Sequence, residues 1–318
     1  MTRHFATHLS LVATLAISAA PAQALSSRVF VSGHGTDSTG CGAVTAPCRT
    51  FQFAHNNTGA GGTIIVRNSG DYGPVHITKS ISIVNDGAGT ASVRAKTDGT
   101  DCILIDGLGP ADVVHLRGLS ITGSGPGYGV EASNVGSLTI INCVVRGFRN
   151  GIFIDGNDGP TSFSISHTMV AENNENGIFI TTFKAGSAVG VIDHVLAYHN
   201  SDDGVILADN VKATVIDSVL SNNSYNLYVG GSGLTAFSGA SATVRNVTAS
   251  YNHCPGFDSS DVTPAGYGFY FALGSFSNSA SGIAHSVVTG NDYGFGVVGN
   301  VVETYGDNDH RLRFRKGN

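Results

Sequence analysis

The sequence predicts an all-β solenoid, a parallel coil of short strands in which each turn stacks on the next. Three observations carry this. The stretch 138–207 repeats one pattern three times, as LTIINCVVRGFRNGIFID, SFSISHTMVAENNENGIFIT and VGVIDHVLAYHNSDDGVILA. Each copy has an apolar pair, a small polar residue (Asn142, Ser166, Asp193), a second apolar pair, a polar turn and a glycine that opens a short apolar strand (Gly151, Gly177, Gly204). The polar position recurs at intervals of 24 and 27 residues and the glycine at 26 and 27, a period at which one unit must stack on its neighbours to bury its apolar face. Composition agrees: 43 glycines and only 13% charged residues suit many short strands joined by Gly, Asn, Asp and Ser turns. Connectivity is the third observation. An antiparallel meander would need a hairpin dipeptide at every joint and would not give a one-direction period, whereas a parallel coil explains both.

The first 24 residues read as a targeting segment. Arg3 precedes an uncharged run, LSLVATLAISAA, followed by Ala22-Gln23-Ala24, an A-x-A cleavage pattern. The run is too short to span a bilayer, and no later stretch is long and apolar enough to be a transmembrane segment. The expectation is a secreted or periplasmic protein whose mature chain begins near Leu25. Removing the segment takes away Arg3 and no acid, so a net charge of −6 becomes −7. Nucleic acid is thereby excluded as a partner, since it requires a basic stripe. An acidic polysaccharide would be weakly repelled unless calcium or a local arginine cluster intervened.

Residues 25–60 are expected to form an N-terminal cap. A first strand (29–32) leads into CGAVTAPC, whose Cys41 and Cys48 are close enough to pair in an oxidising compartment. Arg49–Asn56 then reads as a short amphipathic helix. A stacked coil has an open apolar end, and a cap prevents edge-to-edge association there. Strands begin at Gly61, and 61–300 is assigned to the coil. Beyond the three copies it continues through ATVIDSVLSNNSYNLYVG, ATVRNVTASYNHCPGF, an insertion DSSDVTPAG, and GIAHSVVTGNDYGFGVVG, with polar positions Asp217, Asn246 and His285. With about three strands per turn and rungs 4.8 Å apart, the polar positions form a ladder whose side chains bond successive rungs. The last segment, 301–318, reads as a basic tail carrying Arg311, Arg313, Arg315 and Lys316. Cys102, Cys143 and Cys254 lack metal-ligand spacing and read as single buried thiols.

Pro47-Cys48-Arg49-Thr50-Phe51, Gly61-Gly62-Thr63-Ile64 and the Asn-turn-Gly repeats of 138–298 together resemble the right-handed parallel β-helix of the pectin lyase-like superfamily, over nearly the whole mature chain. The resemblance implies the right-handed coil. It leaves activity open, because the superfamily hosts lyases, hydrolases, epimerases, adhesins and chains without known chemistry.

Three constellations bear on chemistry. Asn200-Ser201-Asp202-Asp203-Gly204 resembles the Asp-Asp strand entry of polygalacturonases, which implies Asp202 and Asp203 as acid and base, on carboxylates about 6.5–9.5 Å apart in an inverting mechanism. The other marks of that family depart from this pattern. Asn174-Glu175-Asn176 stands where Asn-Thr-Asp is expected, no histidine lies near Asn222–Tyr225, the only Gly-His-Gly is Gly33–Gly35, and Arg-Ile-Lys is absent. Acids before a glycine are also ordinary turn residues. Second, Cys143, His167 and His194 read as one column with metal-ligand chemistry. Third, Asp155 and Asp158 near Arg146 and Arg149 supply the residue types of a calcium-assisted lyase, though not the spacing of a calcium loop. No tryptophan offers a sugar platform; Tyr128, Tyr198, Tyr225, Tyr228, Tyr267 and Tyr293 are the substitutes.

The reading is therefore a secreted or periplasmic β-helix that presents a long surface to an extracellular polymer, a carbohydrate, or to an envelope partner, without a complete catalytic set. The alternatives are a polysaccharide-degrading enzyme using Asp202 and Asp203, and a metal-handling periplasmic β-helix. No cofactor is assigned.

Overall fold

The computed structural model describes residues 25–95, 99–157, 159–183, 186–223, 231–253, 266–273, 281–299, 302–304, 309–310 and 314–316. The expected leader, Asp158, Tyr225, Tyr228, Cys254, most of the 258–266 insertion, Arg311 and Arg313 lie outside them. The strands form three parallel sheets: sheet I of 11 strands, and sheets II and III of 10 each. Each turn of the right-handed coil visits sheet I, then II, then III. One turn, for example, comprises Ser137–Ile141, Val144–Arg146 and Ile152–Asp155. Alternation along the strands puts Leu138, Ile140, Val145, Ile152 and Ile154 inside, all fully buried, and repetition of this pattern makes one continuous core along the axis. Pairing extends past residue 300, where Val302–Thr304, Asp309–His310 and Phe314–Lys316 add one strand to each sheet.

The corner between sheets I and II is two residues long, and the first of them makes the turn. Asn142, His167, His194, Asp217, Asn246 and His285 have φ of 49–55°, the left-handed region that Asn, Asp and His enter more readily than other non-glycine residues. Their backbones stack rung on rung: the N–H groups of Asn142, His167 and His194 donate to the carbonyls of Ser166, Asp193 and Ile216 at 3.0, 3.0 and 3.2 Å. This register corrects the sequence alignment of the copies. Ile141 pairs with Ser166, and Ser166 with Asp193, so Ser166 and Asp193 stand one residue before the corner. The column at the corner is Asn142, His167 and His194. Cys143 does not share it. Val144 pairs with Met169, so Cys143 is level with Thr168 and points into the core with 1% exposure. A slip of one residue moves a side chain from one face to the other, and rungs of unequal length hide that slip in a linear alignment.

The internal ladder is elsewhere, after sheet II. Asn173, Asn200, Asn223, Asn252 and Asn291 follow one another along the axis, and the first four are buried. Each Nδ2 donates to the next Oδ1, at 2.8, 2.9, 3.1 and 2.8 Å. Each Oδ1 also accepts the preceding rung's N–H, beginning with Phe148 at 3.1 Å. The glycine that opens each sheet III strand leaves the space this ladder fills. A Cβ on Gly177 or Gly204 would lie 2.8 Å from the Nδ2 of Asn200 or Asn223.

At the N-terminal edge, Ser26–Val31 is the outermost strand of sheet I. Cys41 and Cys48 form a disulfide with Cα atoms 5.0 Å apart. The helix runs Phe51–Asn57, and Thr50 caps it by accepting the N–H of Phe53. Asp37 holds the entry by accepting from the N–H groups of Arg49 and Thr50 and from the Thr50 hydroxyl, at 2.8, 3.0 and 2.8 Å. Phe51 and Ala54 are buried, and Phe51 packs on Tyr72 with ring centroids 4.9 Å apart.

Candidate functional site

Residues just before and within the sheet III strands gather carboxylates, an arginine and aromatic rings on one outward face. Parallel register sets the grouping. Leu104, Glu131, Phe153 and Phe179 are consecutive partners on that face. Two residues ahead of each strand's first paired position runs a second row: Asp101, Tyr128, Asn150, Asn176, Asp203 and Ser232. Its members hand one interaction from rung to rung. The N–H of Tyr128 donates to Asp101 Oδ1 at 2.7 Å, that of Asn176 to Asn150 Oδ1 at 3.0 Å, and that of Asp203 to Asn176 Oδ1 at 3.1 Å. Asp203 then accepts the N–H of Ser232.

This row places the two acids singled out from the sequence in different situations. Asp203 is 6% exposed and occupies a ladder position that asparagine fills in the two preceding rungs. Asp and Asn are interchangeable there as acceptors. Burial first, then the Asp202 carboxylate, raises its pKa well above the carboxylate range. Asp202 is half-buried. Its N–H donates to the Glu175 carbonyl at 3.0 Å, and burial, with the Glu175 charge second, pushes its carboxyl up to about 6.

Around Asp202 the face is well furnished. Glu175 Oε2 accepts from Arg149 Nε at 2.9 Å, and Arg149 Nη1 lies 3.5 Å from the Tyr128 hydroxyl. Glu131, not singled out from the sequence, is half-buried; burial first, then the carboxyls of Asp101, Asp106 and Asp155, pushes its pKa up to about 7. Nothing in the linear sequence marks it, because Asp101, Glu131 and Asp155 come together only through the register. Tyr128 stacks on Phe153 (5.1 Å, 21°), and Phe153 meets Phe179 edge-on at 5.4 Å. These rings spend much of their faces on one another and serve more as a spine than as a flat sugar platform. Of the other tyrosines, Tyr267 packs between Tyr270 and Tyr293, at 5.0 and 5.1 Å, and Tyr198 lies against His199.

The remaining candidates separate. Arg146 ends a sheet II strand while Asp155 ends the sheet III strand of the same rung, and Asp155 accepts from Asn157 Nδ2. Burial raises the thiols of Cys102 and Cys143 to about 12 and about 11, which makes them poor nucleophiles and poor metal ligands. On the opposite side of the coil, at the sheet I–II corner, His167 and His194 stack with centroids 4.7 Å apart and planes 3° from parallel. Among the described residues, Asp193, His194 and Asp217 there form a group whose ligand atoms all lie within 4.8 Å of one another.

Two solved structures are similar in fold. One is a pectate lyase, at 17% identity and a TM-score of 0.58, covering 90% of this chain and 80% of that one. The other is a rhamnogalacturonan lyase, at 16% identity and 0.56, covering 89% and 84%. At such identities the likeness is one of fold. No curated protein matches the sequence. Residues 101–309 match the family model described as right handed beta helix region, and with the three parallel sheets in register around one core, the chain belongs to that family.

Proposed function

We propose that this β-helix acts outside the cytoplasm and binds a carbohydrate polymer along the sheet III face, with Tyr128, Arg149, Glu175 and Asp202 as its polar contacts. The observation that carries the reading is the convergence of Arg149, Glu175, the Tyr128 hydroxyl and Asp202 on adjacent rungs of one outward face. Such a set of donors and acceptors suits sugar hydroxyls. Its charge narrows the class. Asp101, Glu131, Glu175 and Asp202 contribute carboxyls, and the Arg149 guanidinium is already paired with Glu175, so a neutral glycan fits better than a polyuronate. The fold likeness to two polysaccharide lyases supports a carbohydrate role. The Cys41–Cys48 disulfide supports an oxidising compartment.

A second reading, hydrolysis, is favoured by the Asp202 carboxyl at about 6, within the range of a general acid. Its proposed partner Asp203 is the weaker half of the pair, because one oxygen is committed to Ser232. The test is a panel of neutral and acidic glycans scored for both binding and cleavage. Binding of a neutral glycan without turnover, weakened about tenfold or more by Arg149→Ala, supports the first reading. Turnover abolished by Asp202→Asn replaces it with the second. Absence of binding to every glycan removes both.

A further inference from the structure

The sheet I–II corner carries a group of side chains that the sheet III reading does not use. Consecutive rungs place His167, His194, Asp217, Asn246 and His285 at the same left-handed position, so their side chains leave the coil in one direction at the rung spacing. Asp193 immediately precedes His194, and its Oδ1 lies 2.6 Å from His194 Nδ1. The Asp217 carboxylate completes the set from the next rung, with the three ligand atoms within 4.8 Å of one another. From these residues we propose a divalent transition-metal site formed by Asp193, His194 and Asp217, with zinc as the ion it fits best.

Four features support it. A metal–ligand bond is about 2.1 Å, so two ligands on one tetrahedral ion stand roughly 3.4 Å apart. The Asp193–His194 pair lies inside that separation at 2.6 Å, and an ion replaces the hydrogen bond between them with an opening of the side chains by about 0.8 Å. The imidazole is also oriented, because its face lies flat against His167 and its backbone is held at φ 51°. Asp217 is oriented from the other side, where Asn246 Nδ2 donates to its Oδ1, the kind of outer contact that fixes a ligating carboxylate. Finally, His194 and Asp217 are exposed, so solvent can supply the water that completes a three-ligand zinc site.

The donor set selects the ion. One imidazole nitrogen and two carboxylates suit zinc and its neighbours. Calcium, which takes six to eight oxygens, is poorly served. Because the site lies at a different corner from the sheet III face, it stands or falls independently of the glycan reading.

The test is calorimetric titration of the whole protein with zinc chloride. The result expected is one site per chain, weakened about tenfold or more in both His194→Asn and Asp217→Asn and unchanged in His115→Asn, an exposed histidine on sheet I. Asparagine is chosen because it tolerates the left-handed backbone at both positions, and matching circular dichroism melts establish that the variants are folded. No binding by the unsubstituted protein, or binding unchanged in both corner variants, overturns the proposal. So does displacement of zinc by an equal concentration of calcium chloride.

Discussion

Asp203 shows how one residue type can be read two ways. In the sequence it is half of an Asp-Asp pair before a glycine; in the fold it is an acceptor in a ladder whose preceding members are Asn150 and Asn176. Asp203→Asn keeps the carbonyl-type acceptor for Ser232 and removes a buried charge. It is expected to raise the melting temperature at pH 8. Asp203→Ala leaves the Ser232 N–H without that acceptor and is expected to cost about 1–3 kcal/mol; chemical denaturation of the two variants distinguishes these signs. The pH dependence follows from the same environment. Folded-state pKa values raised above the ordinary range, about 6 for Asp202 and about 7 for Glu131, mean that the folded chain binds more protons than the unfolded one. Their stabilising contribution is therefore fully present below about pH 4 and lost as pH rises to about 7. Melting curves between pH 5 and pH 8 are expected to fall with rising pH, at roughly 2–4 °C per kcal/mol lost, and Asp203→Asn is expected to flatten the slope.

At the level of elements, the two asparagine ladders and the glycine column are one device. Asn200 accepts from Asn173, donates to Asn223 and donates to the Val170 carbonyl at 3.2 Å. Truncating it orphans buried groups on both neighbouring rungs. Asn200→Ala is expected to destabilise by about 2–4 kcal/mol, each orphaned group costing roughly 1–3 kcal/mol. Gly177→Ala acts on the same place from outside, since the new Cβ would lie 2.6 Å from the Gly204 carbonyl oxygen and 2.8 Å from Asn200 Nδ2. If the ladder and the column are coupled, Asn200→Ala in the Gly177→Ala background costs less than alone, and a double-mutant cycle in denaturant measures the difference. Additive costs would show that they act independently.

Across the whole molecule, each rung contacts only its neighbours, so an end with no partner exposes core edge and paired-strand edge alike. Val29 and Val31 of the first strand, together with Phe51 and Ala54, are buried at the N-terminal edge, and we propose that residues 25–60 cover that end. A chain beginning at residue 61 is expected to associate at concentrations where the chain beginning at residue 25 does not, as measured by light scattering coupled to size exclusion. Equal behaviour of the two would remove the capping role assigned to 25–60.

The coil, its parallel sense and its glycine punctuation were readable from the residues because they follow from period and composition. The first strand and the Phe51–Asn57 helix lie within a few residues of where pattern placed them. The Cys41–Cys48 bond followed from a loop short enough to close. The side each residue faces was not readable, because rungs of 19 to 39 residues among the described residues conceal a one-residue slip that turns Cys143 inward and aligns His167 with Asn142. Glu131 and its neighbours Asp101, Asp106 and Asp155 were equally out of reach: they are separated along the chain and become neighbours through hydrogen-bonded register, and the raised proton affinity of Glu131 exists only once stacking has buried it beside them. Periodicity is a local property of the chain, whereas a site on a solenoid is assembled across rungs, and only the stacked coil brings its parts together.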